Sequence, residues 1–328
     1  MKKIGVKGTG SYVPERIIPN SYFEKILDTT DEWIITRTGI QSRRMIEPGQ
    51  ALTDLATPAS ERALEMAGIS PENLDIIIVG TSTADMLSPS AGCILQHRLG
   101  AKNAVAFDIN AACPGFIYGL AVAQKFMQDG SHHHALVVGG EIISNRIDYK
   151  DKATCVLFGD GAGATVLGHS DGNGDGEILS THLNSDGNLW SLLHVPGGGS
   201  RNPPSHQMLN AGLHYVKMQG NEVFKYAVRT MVDAARKTME SNGITSGDID
   251  WFIPHQANIR IMETVTEGLG IPFEKVIVTV HKYGNTSAAS IPTALDEAVR
   301  SGRIRRGDLI LMSSFGAGFT WGAALLRY

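Results

Sequence analysis

The sequence predicts an α/β protein built from two duplicated halves. Short apolar runs alternate with longer segments whose apolar residues recur at helical spacing. That alternation is typical of βαβ units with a mostly parallel sheet and helices on its faces. Two stretches, 67–79 and 242–254, also align with each other, with a Gly-Ile pair, an Asp and an Ile at matching positions. A repeated α/β half is therefore the predicted fold class.

Each element has a local signal. Short apolar runs bounded by Gly or polar residues predict buried strands, and longer amphipathic stretches predict helices. The predicted strands are 76–79, 104–107, 135–138, 251–254 and 276–280. The predicted helices are 52–67, 114–128, 221–240 and 257–269. A stretch rich in Gly, Pro and Ser predicts a long loop over 196–210.

The repeat extends along the chain. The strand, loop and helix around Cys113 align with those around Asn285, and two Phe-Gly-x-Gly motifs near the ends of the halves coincide. Because the matches occur in the same order, we predict an N-terminal half of residues 1–172 and a C-terminal half of residues 173–328. The Gly-rich stretch 171–176 predicts a surface turn at their boundary.

Composition limits the class of protein. The chain has 328 residues, of which 42% are hydrophobic and 19% charged, so it can bury a substantial core. A net charge of -4 argues against a basic coat for binding nucleic acid. Three cysteines cannot all pair, which favours a reducing cytoplasm. No apolar run is long enough for a spanning helix and the first residues do not resemble a signal peptide, so we expect a soluble cytoplasmic protein without a membrane partner.

Cys113 lies where a reactive thiol is expected. A predicted strand leads to it, Pro114 follows, and a helix begins. Proline favours the first helical position, which would place Cys113 at the N-cap, where the helix dipole favours the thiolate. The alternative is a buried, inert thiol. Cys93 and Cys155 lie in helical and apolar patterns, so both are expected in the core.

His255 and Asn285 share the topological setting of Cys113. His255 follows the predicted strand 251–254, Asn285 follows 276–280 through a short loop, and each precedes a helix. Open α/β sheets bind ligands at the carboxyl ends of their strands, so we predict that the three side chains converge on one site. For either residue taken alone, a capping or turn role is the alternative.

Two other motifs are not expected to bind ligands. In His132-His-His134 adjacent side chains point apart, and no Cys or carboxylate lies nearby at ligand spacing, so no metal site is predicted. Phe158-Gly-Asp-Gly-Ala-Gly163 lacks the Lys and Ser or Thr of a phosphate-binding loop and precedes a strand-like run. A tight structural turn is the prediction there.

Three motifs resemble those of one known family. Ala111-Ala-Cys-Pro-Gly-Phe116, Pro254-His-Gln-Ala-Asn-Ile-Arg260 and Gly284-Asn-Thr-Ser-Ala-Ala-Ser290 are similar to the active-site motifs of β-ketoacyl-acyl-carrier-protein synthase III. The resemblance extends from about Gly8 to Tyr328. It implies the thiolase-like fold, in which two duplicated α/β halves pack as a layered α-β-α-β-α unit.

The resemblance implies a condensing enzyme that initiates fatty acid synthesis. Cys113 would take an acyl group from acyl-CoA, and malonyl-acyl-carrier protein would then lose CO2 and give 3-oxoacyl-acyl-carrier protein. His255 and Asn285 would stabilise the enolate that forms. Backbone N–H groups of Cys113 and Ala317 would form the oxyanion hole. Acyl-CoA is then a substrate, and no cofactor is expected.

The resemblance also assigns binding residues. The matching positions are CoA contacts at Trp33, Arg37, Lys152 and Asn258, carrier-protein contacts at Lys225 and Arg260, and an acyl pocket at Leu87 and Ser88. Family members are homodimers in which the partner contributes the pocket segment, so a homodimer is expected. Many short-chain members have Phe where this chain has Ser88, which predicts a pocket that admits chains longer than acetyl.

Other activities stay open. An acyltransferase or condensing enzyme of secondary metabolism would keep Cys113 without needing a malonyl carrier protein. A non-catalytic acyl or CoA binding subunit is the alternative outside enzymes, and the intact set of Cys113, His255 and Asn285 argues against it. Thiolases and elongating synthases pair their Cys with Cys-His or His-His, whereas this chain offers His-Asn.

Overall fold

Two large β-sheets, two small two-stranded sheets and the helices around them make up the fold. The computed structural model describes residues 2–170 and 176–328. The boundary predicted between residues 172 and 173, and all of the predicted turn except Gly176, lie outside the described residues. The strands are β1 (Ile4–Tyr12), β2 (Ile17–Pro19), β3 (Ser42–Arg44), β4 (Ile76–Gly80), β5 (Val105–Ile109), β6 (His134–Glu141), β7 (Gly161–His169), β8 (Glu177–Ser185), β9 (Leu193–His194), β10 (Lys217–Met218), β11 (Trp251–Pro254), β12 (Leu309–Gly316) and β13 (Thr320–Arg327). The helices are α1 (Asn20–Glu24), α2 (Asp31–Thr38), α3 (Leu52–Ala67), α4 (Ala91–Leu99), α5 (Gly115–Met127), α6 (Lys152–Cys155), α7 (His206–Asn210), α8 (Gly220–Ser241), α9 (Ile259–Leu269), α10 (Val280–Tyr283) and α11 (Ser290–Arg300).

The two large sheets are mixed. One has the order β1-β7-β6-β4-β5 and the other β11-β12-β13-β8. Parallel pairing occurs between β4 and its neighbours β5 and β6, and between β11 and β12, while the remaining pairs are antiparallel. The prediction of mostly parallel sheets was therefore wrong. The β12–β13 pair shows one reason, because its three-residue turn can join only antiparallel strands.

The helices form three layers around these sheets. α5 and α11 contact both sheets and lie between them, whereas α3 and α4 cover the outer face of the first sheet. α8 covers the outer face of the second sheet, and α9 packs against α8 and shares its apolar cluster. Buried Ile78, Phe116, Leu295 and Met312, from β4, α5, α11 and β12, belong to one apolar core between the sheets. This α-β-α-β-α arrangement confirms the layered fold that the sequence predicted.

The predicted strand over 276–280 does not form. Val276 makes a single bridge to Phe252, and α10 begins at Val280. The side-chain oxygen of Gln256 accepts the backbone N–H groups of Thr279 and Val280 at 2.8 and 3.2 Å. A buried side chain thus replaces the strand partner that these backbone groups would otherwise need.

The predicted loop over 196–210 ends in a short helix. The hydroxyl of Ser205 accepts the N–H of Met208 at 3.1 Å and caps α7. Met208 is buried, and this anchors the turn against the protein. The remainder, up to Ser205, is irregular as predicted.

The packing of β4 against α5 fixes the start of α5. Gly80 and Gly115 face each other, and a Cβ atom on Gly80 would lie 2.5 Å from the carbonyl carbon of Gly115. Glycine is therefore required for this close approach, which sets the position of the residues just before α5. Separately, no helix within residues 2–170 and 176–328 combines the length and apolar character needed to cross a membrane.

Candidate active site

The predicted catalytic residues line one cavity of about 160 Å³. Its lining includes Cys113, His255 and Asn285, so the structure brings together the three side chains predicted to converge, and Asn258 lines it as well. Much of the remaining wall is apolar, formed by side chains such as Leu157, Met218, Val223, Phe224, Met231 and Phe315. Such a cavity suits an acyl chain beside a small set of polar groups.

Cys113 lies in the turn between β5 and α5. The helix begins at Gly115 with Pro114 as its cap, so Cys113 precedes the cap and the predicted N-cap position was wrong by one residue. The N–H of Gly115 donates to Ala112 at 2.9 Å, which closes a tight turn around the cysteine. Ala112 has a φ of 49°, an unusual value for a residue with a side chain. The turn holds the sulfur toward the cavity.

The thiol of Cys113 is a weak acid in this setting. Burial raises its pKa from 9.0 to about 12, the contact from the Ser287 hydroxyl at 3.4 Å lowers it, and the nearby Glu141 carboxyl raises it. Desolvation of the charged form is the largest cause, so the shift of the pKa is opposite to the thiolate preference that the sequence predicted. The free enzyme therefore holds Cys113 as the thiol.

The other two thiols differ from each other. Cys155 is buried in the core as predicted, and burial raises its pKa to about 11. Cys93 is exposed, which contradicts the predicted core position. Its Sγ lies 3.6 Å from the carbonyl oxygen of Ala106 in β5. β5 is the end strand of its sheet, so no further strand of that sheet covers this side of α4.

His255 follows β11 directly and is almost completely buried. Its backbone N–H donates to the carbonyl of Ser313 at 2.8 Å, which fixes the residue beside β12. Nδ1 lies 2.7 Å from the hydroxyl oxygen of Ser290. Burial lowers the pKa of His255 to about 3, so the ring is neutral at physiological pH.

Asn285 is held from both sides of its peptide. Its N–H donates to Leu157 at 2.8 Å, and its carbonyl accepts the N–H of Gly159 at 3.0 Å. The side-chain oxygen accepts the N–H of Ser287 at 2.9 Å. With the oxygen occupied, the NH2 group of Asn285 is the part of the amide left to donate toward the cavity.

The turn between β12 and β13 packs against the nucleophile loop. A Cβ atom on Gly316 would lie 2.7 Å from the backbone nitrogen of Cys113, so only glycine allows this approach. The Thr320 hydroxyl donates to Ala111 at 2.8 Å and ties the two segments together. Within the described residues, neither the N–H of Cys113 nor that of Ala317 donates to an acceptor on another residue.

The predicted CoA contacts fall into two places. The Lys152 ammonium lies 4.5 Å from the centre of the Trp33 ring, and the Arg37 guanidinium lies 5.9 Å from it. Lys152 also donates to the carbonyl of Asp28 at 2.7 Å. Asn258 lines the cavity while its side-chain oxygen caps α9. The predicted CoA contacts are therefore the Trp33 ring with the cations of Lys152 and Arg37 beside it, and, in the cavity lining, Asn258.

The remaining predicted residues lie away from the cavity. Lys225 is exposed and pairs with Glu222 at 2.8 Å. The Arg260 guanidinium lies 6.0 Å from the centre of the ring of Phe224, a residue that lines the cavity. Leu87 is 92% exposed and Ser88 is exposed, so neither lines the cavity of its own chain.

Sequence reasoning missed three polar residues of the site. Ser290 contacts His255, Ser287 contacts Cys113, and the Ser287 hydroxyl also lies 3.3 Å from Oε1 of Glu141. The two serines stand inside the motif that carries Asn285, so the spacing could have suggested them. Glu141 ends the buried strand β6, the same kind of position that singled out His255.

Comparison with known proteins identifies the family. The chain matches the family models of 3-oxoacyl-[acyl-carrier-protein (ACP)] synthase III over residues 107–187 and of its C-terminal part over residues 239–328. A β-ketoacyl-[acyl-carrier-protein] synthase III from Caldanaerobacter subterraneus subsp. tengcongensis is 52% identical over 324 residues, covering 99% of this chain and 97% of the relative. One from Alkalilimnicola ehrlichii is also 52% identical and covers 98% of each chain.

A solved structure gives the same result. The crystal structure of 3-oxoacyl-[acyl-carrier-protein] synthase III from Aquifex aeolicus VF5 matches with a TM-score of 0.92 and 47% identity, covering 99% of this chain and 100% of the other. The layered fold and the Cys-His-Asn cavity define an acyl-transferring condensing enzyme of the thiolase type. The chain belongs to the β-ketoacyl-acyl-carrier-protein synthase III family, the condensing enzymes that initiate fatty acid synthesis. The alternative in secondary metabolism is not favoured.

Proposed function

We propose that the chain transfers an acyl group from acyl-CoA to Cys113 and condenses it with malonyl-acyl-carrier protein. The observation that carries this proposal is the single cavity lined by Cys113, His255 and Asn285. A nucleophilic sulfur and two neutral donors share one largely apolar space. A non-catalytic binding subunit would not need this combination.

In the first half-reaction the sulfur of Cys113 bonds to the acyl carbon, and the bond from that carbon to the CoA sulfur breaks. The thiol proton ends on the departing CoA. The negative oxygen of the tetrahedral intermediate would be met by the N–H groups of Cys113 and Ala317. The close packing of Gly316 on Cys113 supports that assignment.

In the second half-reaction the malonyl group loses CO2. The electron pair of the broken carbon–carbon bond forms a thioester enolate, whose oxygen would accept hydrogen bonds from Nε2 of His255 and the NH2 group of Asn285. One such donor is worth about 3 kcal/mol of transition-state stabilisation. The enolate carbon then bonds to the acyl carbon held on Cys113, and the bond from that carbon to the Cys113 sulfur breaks. The product 3-oxoacyl-acyl-carrier protein leaves, and the sulfur regains a proton from solvent.

The two carriers would use surfaces outside the cavity. Trp33, with Arg37 and Lys152 beside its ring, offers an aromatic face and positive charge to the adenine and phosphates of CoA, and Asn258 offers a donor to the pantetheine. Lys225 and Arg260 lie on α8 and α9, which line the cavity, and would meet an acidic carrier protein there.

The active form is proposed to be a homodimer. β5 ends its sheet with Val105 56% exposed, and an unpaired strand edge is a template for pairing with a second copy. Leu87 projects from the neighbouring loop with 92% of its surface exposed. A second copy placed there would cover Leu87 and bring Ser88 to an acyl pocket.

The proposed reaction uses the protein's own side chains and two substrates. A sulfur nucleophile and hydrogen-bond donors supply all the chemistry of the steps above, so no cofactor is proposed. A cytoplasmic location is proposed as well, supported by the three free thiols Cys93, Cys113 and Cys155.

Product analysis tests the proposed function. Acyl-CoA and malonyl-acyl-carrier protein are incubated with the enzyme, and CO2 and the mass of the carrier protein are measured. The proposal predicts one CO2 per 3-oxoacyl-carrier protein formed. Acylation of the enzyme without CO2 release would instead indicate an acyltransferase.

A further inference from the structure

Ser287 links the nucleophile to a buried carboxyl group. Its Oγ lies 3.4 Å from Sγ of Cys113 and 3.3 Å from Oε1 of Glu141. Building on the proposed acyl transfer, we propose that Ser287 and Glu141 form a proton relay that takes the thiol proton of Cys113 as the acyl group arrives. Ser287 contacts the reacting atom, and Glu141 acts through Ser287.

The need for such a relay follows from the protonation of the site. Cys113 is a thiol in the free enzyme, so its proton must leave when sulfur attacks. Nδ1 of His255 lies 2.7 Å from the Ser290 hydroxyl oxygen, and the proposed second half-reaction needs the ring proton on Nε2. In this tautomer His255 has no free lone pair on Nε2 to accept the thiol proton.

Glu141 accepts several hydrogen bonds in its buried position beside Ser287. Its carboxyl accepts the N–H of Ser82 at 3.0 Å, the Ser82 hydroxyl at 2.9 Å and the Thr83 hydroxyl. The Thr81 hydroxyl lies 3.5 Å away. Burial at the same time raises its pKa, which strengthens it as a proton acceptor.

Backbone strain marks the same contact. Among the described residues, Ala112 and Ser287 are the non-glycine residues with positive φ, at 49° and 50°. Ala112 precedes Cys113, so the two strained residues flank the Cys113–Ser287 contact. Strained backbone persists at sites where the geometry serves function. Here it holds the hydroxyl between sulfur and carboxylate.

Two protons move in the proposed step. The Cys113 proton moves to Oγ of Ser287 while the Ser287 proton moves to Oε1 of Glu141. Sulfur bonds to the acyl carbon, and CoA leaves with the electron pair of its carbon–sulfur bond. The CoA thiolate then takes the proton back through Ser287, which leaves Glu141 ionised and CoA as a free thiol.

The titratable surroundings of Glu141 are simple. Cys113, ahead of α5, is the titratable group connected to it. Asp160, before β7, is held by Ser144, and Asp85, after β4, is held by Thr53. In the described part of the chain no Lys, Arg or His pairs with Glu141. A fall in the acylation rate at acid pH would therefore report protonation of Glu141.

Single-turnover acylation by acetyl-CoA, followed by quenched intact-mass measurement, tests the relay. We expect Ser287→Ala, Ser287→Gly and Glu141→Gln to slow acylation by about 10²- to 10⁴-fold. Glycine accepts the positive φ, so Ser287→Gly removes the hydroxyl without the strain. Ser60→Ala is the matched control. It removes a buried hydroxyl that donates to the Ala56 carbonyl within α3, and its acylation rate should equal that of wild type.

The pH profile separates a relay from a structural role. Wild-type acylation should fall at acid pH as Glu141 takes a proton. In the Ser287 variants the rate should instead rise tenfold per pH unit without a plateau below about pH 12, because the thiol itself must then ionise.

Three results would overturn the relay. The first is a wild-type acylation rate in Ser287→Gly. The second is a slower acylation rate in Ser287→Ala but not in Ser287→Gly. The third is a pH profile of acylation in Glu141→Gln that is the same as in wild type. A wild-type enzyme that is acylated by no acyl-CoA in a series from acetyl-CoA to decanoyl-CoA would refute the proposed function itself, so the two failures are distinguishable.

Discussion

The hydroxyl oxygen of Ser290 lies 2.7 Å from Nδ1 of His255. The N–H of Gln256 donates to the same oxygen at 3.4 Å. We assign the hydroxyl proton of Ser290 to Nδ1, because His255 can then donate to the enolate through Nε2. The neutral imidazole then carries its own proton on Nε2. Ser290 thereby fixes the tautomer that a donor to the enolate requires.

Substituting Ser290 by Ala should slow decarboxylation by about 10- to 100-fold, because the ring loses the contact that sets its tautomer and orientation. Acylation of Cys113 should stay near the wild-type rate. CO2 release by pre-acylated enzyme and single-turnover acylation measure the two effects, with Ser60→Ala as the control. An equal loss in both half-reactions would show that Ser290 supports the fold rather than the tautomer.

Substituting His255 or Asn285 should also affect decarboxylation and spare acylation. His255→Ala or Asn285→Ala is expected to reduce CO2 release by about 10²- to 10³-fold, since each removes one hydrogen bond to the enolate. Acyl transfer to Cys113 should persist in both variants because the N–H groups of Cys113 and Ala317 serve that step. A variant that condenses at the wild-type rate would contradict the role assigned to its residue.

The topology of the site could be predicted from the sequence. His255 and Cys113 follow apolar strands and precede helices, and this local order brought them to one cavity. Asn285 lines the same cavity although the strand predicted before it, 276–280, does not form. Its position depends on hydrogen bonds to Leu157 and Gly159 from the other half of the chain, which no local pattern reveals.

Burial could not be predicted in the same way. The helix start suggested a thiolate at Cys113, yet the surrounding protein raises the thiol pKa to about 12. Cys93 matched a helical pattern, but α4 flanks the end strand β5, so the residue is exposed. Both outcomes depend on which elements pack together across the chain, and so does the contact of Ser287 with Glu141.

The exposed edge of β5 makes the dimer testable. Val105→Lys places a charge on an edge strand and should shift the protein from dimer to monomer at micromolar concentration. Sedimentation velocity measures the shift. Val195→Lys, at another exposed valine, is the matched control and should leave the dimer intact. A wild-type monomer, or a Val105→Lys dimer of unchanged stability, would argue against pairing through β5.

The acyl preference should depend on Ser88. Phe in place of Ser88 would fill space for several methylenes, each worth about 0.8 kcal/mol in apolar surroundings. Wild type should therefore use chains longer than acetyl, and Ser88→Phe should shift preference toward acetyl. A series from acetyl-CoA to decanoyl-CoA, with branched primers, gives kcat/KM for both. Highest kcat/KM with acetyl-CoA and no activity beyond butyryl in wild type would refute the longer pocket.

The most direct test of the account follows the acyl group on Cys113. Enzyme is incubated with acyl-CoA, and peptide mass mapping locates the added mass before and after addition of malonyl-acyl-carrier protein. The account predicts one acyl group on Cys113, absent from Cys93 and Cys155, which disappears as 3-oxoacyl-carrier protein and CO2 form. An unmodified Cys113, or an acyl group that stays on Cys113 while product accumulates, would contradict it.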